Sequence, residues 1–398
     1  MQAAEAAPKP HVPLWLLALF TFSGTLAMHI FVPALPSAGA DLGASSSAMQ
    51  MTVSLYILGL AVGQLIYGPL ADRYGRRPTL MVGLAIYTVS GLAAALAPQA
   101  YALIAARLFQ ALGGCAGLVL GRAIVRDTSV PSQAAKRLAL MNLMVTVGPG
   151  VAPIVGATLA SSLGWRSIFV ALCALGIVNF ILAWRMLPET GVQNANTTAA
   201  TLARHYTHLL RSPTFLGFAV GGGAATTSMY AFIASAPFIF TEQLHRPPSE
   251  VGFYLAMLIA GVWLGSVLTS WLIVRMPMNR LMVSANLLSL VGAVALLGIV
   301  LSGHMTAALL IGAMFVFTLG AGIASPVALT RAVSVDPRVI GSASGLYGFT
   351  QMAVGALCTA LAGFGSSPAL SAALVLTGAG LVAQLAFWVA LRPRGAAA

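Results

Sequence analysis

Twelve times along this chain an apolar run of about 20 residues recurs, the length of helix that crosses a hydrocarbon core of roughly 30 Å. The runs lie near 13–35, 48–70, 79–97, 101–123, 138–162, 166–187, 214–240, 250–273, 281–302, 306–330, 339–364 and 368–391. Lipid is therefore the main solvent, and a segment in lipid must close its own backbone hydrogen bonds, which makes each run a helix. Only 7% of the residues are charged, against roughly 25% in a soluble domain. The reading is an all-α integral membrane protein with twelve transmembrane helices, numbered below as spans 1 to 12.

The net charge of +12 raises the possibility of a nucleic-acid partner, and the placement of the basic residues decides against it. Arg166 and Arg246 fall on one side of the membrane and Arg107 lies within a span. Every other Lys and Arg falls on the opposite side, from Lys9 through the span 2–3 loop and Arg185 to Arg392 and Arg394. This is the positive-inside bias, so the expected partner is the lipid bilayer, with no nucleic acid, and both termini are expected to be cytoplasmic. The first run is too long for a cleaved signal sequence and eleven more follow it, so it is read as retained. Cys115, Cys173 and Cys358 sit inside spans without paired spacing, which indicates neither a disulfide framework nor a metal site.

One long loop, 188–213, divides six spans from six. The expected organisation is a tail over 1–12, a six-helix bundle over 13–187, the linker, a second six-helix bundle over 214–391, and a tail over 392–398. Within the linker, Leu202, Tyr206, Leu209 and Leu210 recur at helical spacing beside Arg204, His205 and Arg211. That pattern fits an amphipathic helix on the inner membrane surface, or a polar tether with one helical turn. Gly63 and Arg73 at the end of span 2 recur with a common offset as Gly265 and Arg275 at the end of span 8, as two pseudo-symmetric halves require.

The loop between spans 2 and 3 reads Gly68-Pro69-Leu70-Ala71-Asp72-Arg73-Tyr74-Gly75-Arg76-Arg77-Pro78. It sets one carboxylate among three guanidiniums at the membrane face, where Asp72 can also meet the positive end of a helix, as in a breakable latch. A plain positive-inside loop accounts for Arg73, Arg76 and Arg77 but not for Asp72 or for the spacing of Gly68 and Gly75. In span 4, Arg107 lies about 9 Å of helix from the outer end. Left unpaired in the membrane it costs roughly 2.5–3.5 kcal/mol or more, so it is compensated inside the protein or it snorkels outward. In span 5, Gly148, Ala152 and Gly156 recur every four residues, a flat face for close helix packing, and Pro149 and Pro153 bend the helix by removing backbone donors.

The span 2–3 loop resembles the G-x-L-A-D-R-x-G-R-R signature of the major facilitator superfamily. The resemblance implies the major facilitator fold, and an Asp72 that pairs with Arg122 or Arg126 and with the stretch Gly341-Ser342 when the protein is open outward. Arg107-Leu108-Phe109-Gln110 is similar to the family's span 4 segment, whose arginine is linked to proton movement. Span 5 resembles the antiporter signature G-x-x-x-G-P-x-x-G-G, with Ala152 and Ala157 standing for two of its glycines. Phe31-Val32-Pro33-Ala34-Leu35-Pro36, Gly63-Gln64-Leu65-Ile66-Tyr67-Gly68, Arg122-Ala123-Ile124-Val125-Arg126-Asp127 and Ser235-Ala236-Pro237-Phe238 narrow the resemblance to drug–proton antiporters of the Bcr/CflA type. That resemblance implies a monomer in the bacterial inner membrane that exports drug-like compounds by alternating access, coupled to proton influx, with no cofactor. No Walker loop is present to drive a primary pump.

Members of that group commonly carry an aspartate four residues before the first proline of P-A-L-P. This chain has His29 there, and none of its eight acids sits mid-membrane. His29 and Arg107 lie at similar depths and form the candidate proton and coupling pathway. His29 is read as the proton carrier, as a neutral hydrogen-bonding residue at the substrate, or as a packing residue. A cavity with Arg107 and no acid disfavours lipophilic cations and admits neutral or anionic solutes, so a carrier of a specific neutral or anionic metabolite without proton antiport is the alternative. Candidates for the substrate cavity are Tyr56, Gln110, Asn142, Tyr230, Phe232, Tyr254, Tyr347 and Gln351, each of which also suits helix–helix hydrogen bonding or an aromatic belt. A membrane-embedded enzyme would need a cluster of catalytic groups near one face. Only His205 and His208 approach that, so no catalytic residue is expected, and an intact latch argues against a transport-dead sensor.

Overall fold

The computed structural model describes residues 12–191, 199–336, 339–365 and 367–392. Among these residues eleven helical segments are long and apolar enough to cross a membrane. They are Leu14–Leu42, Ser46–Tyr74, Arg76–Ala95, Ala100–Thr128, Arg166–Met186, Pro213–Gln243, Pro248–Leu272, Met278–Leu301, Ala307–Val333, Ile340–Gly363 and Pro368–Leu391. Span 5 is the helix Pro131–Leu163, within which Val147–Leu163 is an apolar stretch among the described residues.

Proline and glycine set the irregularities. Span 1 is α-helical over Leu14–Ile30, tightens to a 3-10 turn over Val32–Ala34, and resumes over Leu35–Leu42. Pro33 and Pro36 supply no N–H to an α ladder at that point. The helix therefore runs past the apolar stretch and ends where Gly43 adopts φ 60°, a left-handed cap. Span 7 breaks in the same way, with helices Pro213–Thr226 and Met229–Phe238 followed by a π turn over Ile239–Gln243, next to Pro237. Gly75, at φ 99°, makes the corner between spans 2 and 3, a conformation that costs a side-chain-bearing residue dearly.

The packing pattern repeats with a shift of six spans. Span 4 packs against spans 1, 2 and 3, span 1 also against span 5, and span 3 against span 6. Likewise span 10 packs against spans 7, 8 and 9, span 7 also against span 11, and span 9 against span 12. The main contacts joining the two sets are span 2 with span 11 and span 5 with span 8. Between the sets, at the end carrying the span 2–3 loop, the bundle opens. A short helix of the linker, Ala199–Leu210, lies at this end. It buries Leu209 in the core formed with Phe215 and Phe218 and packs Tyr206 on the same cluster. The side chain of Leu202 lies outside the described residues.

Candidate functional site

The opening leads into a cavity of about 620 Å³. Its first wall comes from spans 2 and 4, with Gln64, Gly68, Asp72, Arg122 and Arg126, and from Arg76 at the start of span 3. The facing wall comes from spans 10 and 11, with Ser325, Leu329, Gly341, Ser342, Tyr347 and Gln351, and the linker contributes His205 and Tyr206. Burial raises the Tyr206 phenol above its ordinary pKa, so it faces the cavity as a neutral hydroxyl. Toward the opposite face the halves meet. The Ser54 hydroxyl donates to the Ala356 carbonyl at 2.8 Å, that of Ser235 reaches Gln50 Oε1 at 3.4 Å, and the His29 and Tyr230 rings lie 6.1 Å apart. The molecule is thus open on the linker face and closed on the other.

The loop residues form one network. Arg76 bridges two carboxylates, donating from Nη1 to Asp72 at 2.6 Å and from Nε to Asp127 at 3.0 Å. The backbone N–H groups of Arg76 and Arg77 donate to the Glu189 carboxylate at 2.8 and 3.2 Å. Span 3 has no side-chain cap of its own, so Glu189, just past span 6, caps it from outside. Arg77 Nη2 donates to the Trp184 carbonyl at 2.6 Å, and Arg73 lies over the Tyr74 ring. Arg122 and Arg126 line the cavity without an ion pair among the described residues. In this open form the Asp72 carboxylate is held by Arg76 within its own half.

Arg107 is fully buried inside the first half. Its guanidinium stands 3.9 Å from the centroid of the Tyr56 ring and 5.7 Å from those of Phe31 and Phe169. Nη1 donates to Gln110 Oε1 at 2.8 Å, while Nε and Nη2 have no hydrogen-bond partner among the described residues. One hydrogen bond to a charge contributes about 1.5–3 kcal/mol and a desolvated cation–π contact about 2 kcal/mol. Together they match the membrane cost of the charge, so snorkelling is not needed. The Tyr56 hydroxyl donates to the Gly24 carbonyl at 2.8 Å, which fixes the ring beneath the guanidinium.

His29 is also buried, but it points elsewhere. Its Nδ1 bonds the Thr25 carbonyl at 2.9 Å, its Nε2 has no hydrogen-bond partner among the described residues, and its ring faces Tyr230 on span 7. Phe31, which reaches Arg107, is two residues further along, roughly 200° around a helix. The structure therefore does not bring His29 and Arg107 into contact, and neither lines the cavity.

Of the other candidates, Tyr347 and Gln351 line the cavity. Gln351 Nε2 donates to Thr226 Oγ1 at 2.9 Å and Tyr347 keeps a buried hydroxyl with no hydrogen-bond partner among the described residues. Tyr56 and Gln110 belong to the Arg107 cage, Tyr230 covers His29, Phe232 is buried edge-on to Phe240, and Tyr254 hydrogen-bonds Glu250. The Asn142 side chain lies outside the described residues. In span 5, Gly148 faces the Phe22 ring and Gly156 the Ile30 carbonyl of span 1, Ala152 is buried, and the Pro153 carbonyl approaches Gly252 of span 8. Pro149 and Pro153 both lie inside the helix. Gln64 was not among the sequence candidates for the cavity. It donates from Nε2 to the Gly348 carbonyl at 3.3 Å, across the seam between spans 2 and 11, and its one signal was an amide in the middle of an apolar span.

The family model of the Major Facilitator Superfamily matches residues 17–359. The chain is 27% identical over 378 residues to an uncharacterised MFS-type transporter, YdgK, of Bacillus subtilis, covering 94% of each chain. It is 30% identical over 346 residues to a chloramphenicol resistance protein of Pseudomonas aeruginosa, covering 83% of this chain and 79% of that one. It is 28% identical over 252 residues to the multidrug transporter MdfA of Yersinia pestis, covering 63% of this chain and 62% of that one. Among solved structures, the inward-open xylose transporter XylE from E. coli superposes with a TM-score of 0.73 at 14% identity, covering 96% of this chain and 97% of that one.

Proposed function

The chain belongs to the Major Facilitator Superfamily, a family of membrane transporters and not enzymes, and from that premise we propose that it exports small, mainly apolar, drug-like molecules by alternating access. The observation that carries this reading is the cavity between the two sets of spans, open on the linker face and closed on the other. In this reading the linker face, where the basic residues concentrate, is cytoplasmic together with both termini, and the resemblance of its motifs to Bcr/CflA-type exporters supports a place in the bacterial inner membrane. Solute enters from inside, the halves rock about the seams of spans 2 and 11 and spans 5 and 8, and Asp72 exchanges Arg76 for partners across the cavity when the mouth closes. The names of two relatives, a chloramphenicol resistance protein and a multidrug transporter, support a drug-like cargo.

Proton influx is the coupling this reading adopts, with His29 and Arg107 as its residues. The second reading, carriage of a neutral or anionic metabolite without proton antiport, is favoured by one observation: His29 is buried against Tyr230, apart from Arg107 and from the cavity. The cavity lining holds one carboxylate, Asp72, already committed to Arg76, so lipophilic cations find no counter-charge. The test is solute movement in proteoliposomes loaded with chloramphenicol or with tetraphenylphosphonium, with and without a pH gradient. Export of chloramphenicol that the gradient accelerates, and that His29→Ala uncouples, is the expected result. Gradient-independent export selects the second reading, and no movement of either solute overturns the export of drug-like molecules.

A further inference from the structure

Two glutamines of the cavity wall each keep an oxygen that the protein does not use. Gln64 of span 2 and Gln351 of span 11 both line the cavity, and the bond each makes fixes which end of its carboxamide faces the protein. The Gly348 carbonyl can only accept, so the Gln64 nitrogen is the atom that meets it, at 3.3 Å. Thr226 gives its one hydroxyl proton to the Gly222 carbonyl at 2.6 Å, so it accepts from the Gln351 nitrogen at 2.9 Å. Gln64 Oε1 and Gln351 Oε1 are left over. Neither accepts a hydrogen bond among the described residues, and neither is buried.

The two amides are neighbours although they come from different halves. The Gln64 amide fits a notch at Gly348, where a Cβ would stand 1.8 Å from its Oε1. Gln351 follows Gly348 on the same face of span 11, about 4.5 Å further along the helix. The charged groups of the lining lie nearer the mouth: Gln64 is about two turns deeper than Asp72, and Gln351 about three turns deeper than Ile340 at the start of span 11. Around the amides are Val119, one turn inside Arg122, and the Tyr347 ring.

We infer that these two oxygens form a subsite that reads hydrogen-bond donors, and that the cargo is an uncharged molecule with an apolar body and two neighbouring hydroxyl or amide N–H groups. The inference rests on reading this cavity as the export site and names its substrate class and the residues that select it. Each half accepts one hydrogen bond from the cargo, which thereby bridges the seam of spans 2 and 11. An ether of the same shape offers no proton and strips water from both oxygens without replacing it. An anion brings further acceptors to a site that lacks donors. An ammonium would suit the oxygens, but it must share the cavity with Arg122 and Arg126, whose like charge repels it.

The test compares the naphthyl ether of glycerol, which keeps two free hydroxyls, with its dimethylated form, by titration calorimetry on the full-length protein in nanodiscs of zwitterionic lipid. The two probes share an apolar body and zero charge and differ in their donors. The diol is expected to bind about tenfold tighter, and the ratio to hold as salt is raised, since neither probe is charged. It should fall to about threefold in Gln64→Met and in Gln351→Met, each of which loses one acceptor, and to near one when both are changed. Should one variant fold poorly, the other carries the test. Gln99→Met, on the exposed outer end of span 4, should leave the ratio unchanged. Equal binding of the two probes by the unaltered protein, no binding of either, or tighter binding of naphthyloxypropylamine than of the diol overturns the inference. So does a diol preference that survives loss of both amides, which would trace it to the bulk of the methyl groups. Chloramphenicol efflux from proteoliposomes, measured in parallel, keeps the two levels apart: efflux with equal probe binding removes only the subsite, and absent efflux removes the export reading and the cargo with it.

Discussion

Replacing Gly156 by alanine should force spans 1 and 5 apart. A Cβ at Gly156 would stand 1.8 Å from the Ile30 carbonyl oxygen and 2.8 Å from its carbon. Ordinary contact between such atoms begins near 3.5 Å, so the shortfall is about 1.7 Å. The obstructing atoms are backbone, and no rotamer change can relieve them. One helix must shift, or the 3-10 turn that follows Ile30 must deform. Overpacking of this kind costs about 1–3 kcal/mol, and a unit of 150–250 residues loses roughly 2–4 °C of melting midpoint per kcal/mol. Gly150, on the same helix, is the control: its Cβ would lie 4.0 Å from the nearest atom, on Ile259. Removing a glycine from a helix there stabilises by about 0.5–1 kcal/mol. The assay is thermal unfolding of purified protein followed by size-exclusion fluorescence, with all variants heated at one rate. Gly156→Ala should melt several degrees lower and Gly150→Ala at or above the unaltered protein. A Gly156→Ala protein that melts with the unaltered one would refute the close approach of spans 1 and 5.

Glu189→Gln should lower stability by about 0.5–1 kcal/mol, through loss of the charged cap on span 3, while Glu242→Gln leaves the melting curve in place. Asp72→Asn leaves Arg76 its bond to Asp127, so the protein should fold normally yet export more than tenfold more slowly in the liposome assay; unchanged rates would remove the latch role. Arg107→Met removes an unpaired buried charge and keeps the packing volume, so stability should hold within about 1 kcal/mol, while equilibrium dialysis detects a gain in tetraphenylphosphonium binding. For Tyr206, burial raises the phenol above its ordinary value. Its neutral form is therefore favoured on folding, and its contribution to stability is complete below pH 10 and lost only as pH rises through the raised folded-state value. The efflux profiles of the unaltered protein and Tyr206→Phe should accordingly superimpose from pH 6 to 9.

The transmembrane helices were legible because length and apolarity leave a run in lipid one conformation. The ends were less so. Span 1 reads as ending near residue 35, yet its helix continues to Leu42, because a weakly polar turn is still good helix until Gly43 offers a left-handed cap. The polar interior was legible in depth and not in direction. Counting along the spans puts His29 and Arg107 at similar depths, but hydropathy carries no azimuth, and their side chains reach different neighbours. Arg122 and Arg126 share a face by their spacing, yet only the packing of span 4 on spans 1, 2 and 3 shows that this face meets the cavity. Glu189 and the corner at Gly75 are far apart in sequence, so the cap they form had no local signal.

The aromatic cage around Arg107 has one more effect. A carboxylate partner would make the pair a local dipole whose influence fades within a few ångströms, and protonating that acid would switch it. Aromatic faces carry no net charge, so the guanidinium keeps its full positive charge inside the first half. A monovalent cation about 10 Å away meets a repulsion of about 1.7 kcal/mol at an effective dielectric of 20, more than a tenfold penalty in occupancy. A buried cation held by rings alone thus disfavours other cations in the first half of this protein by its position.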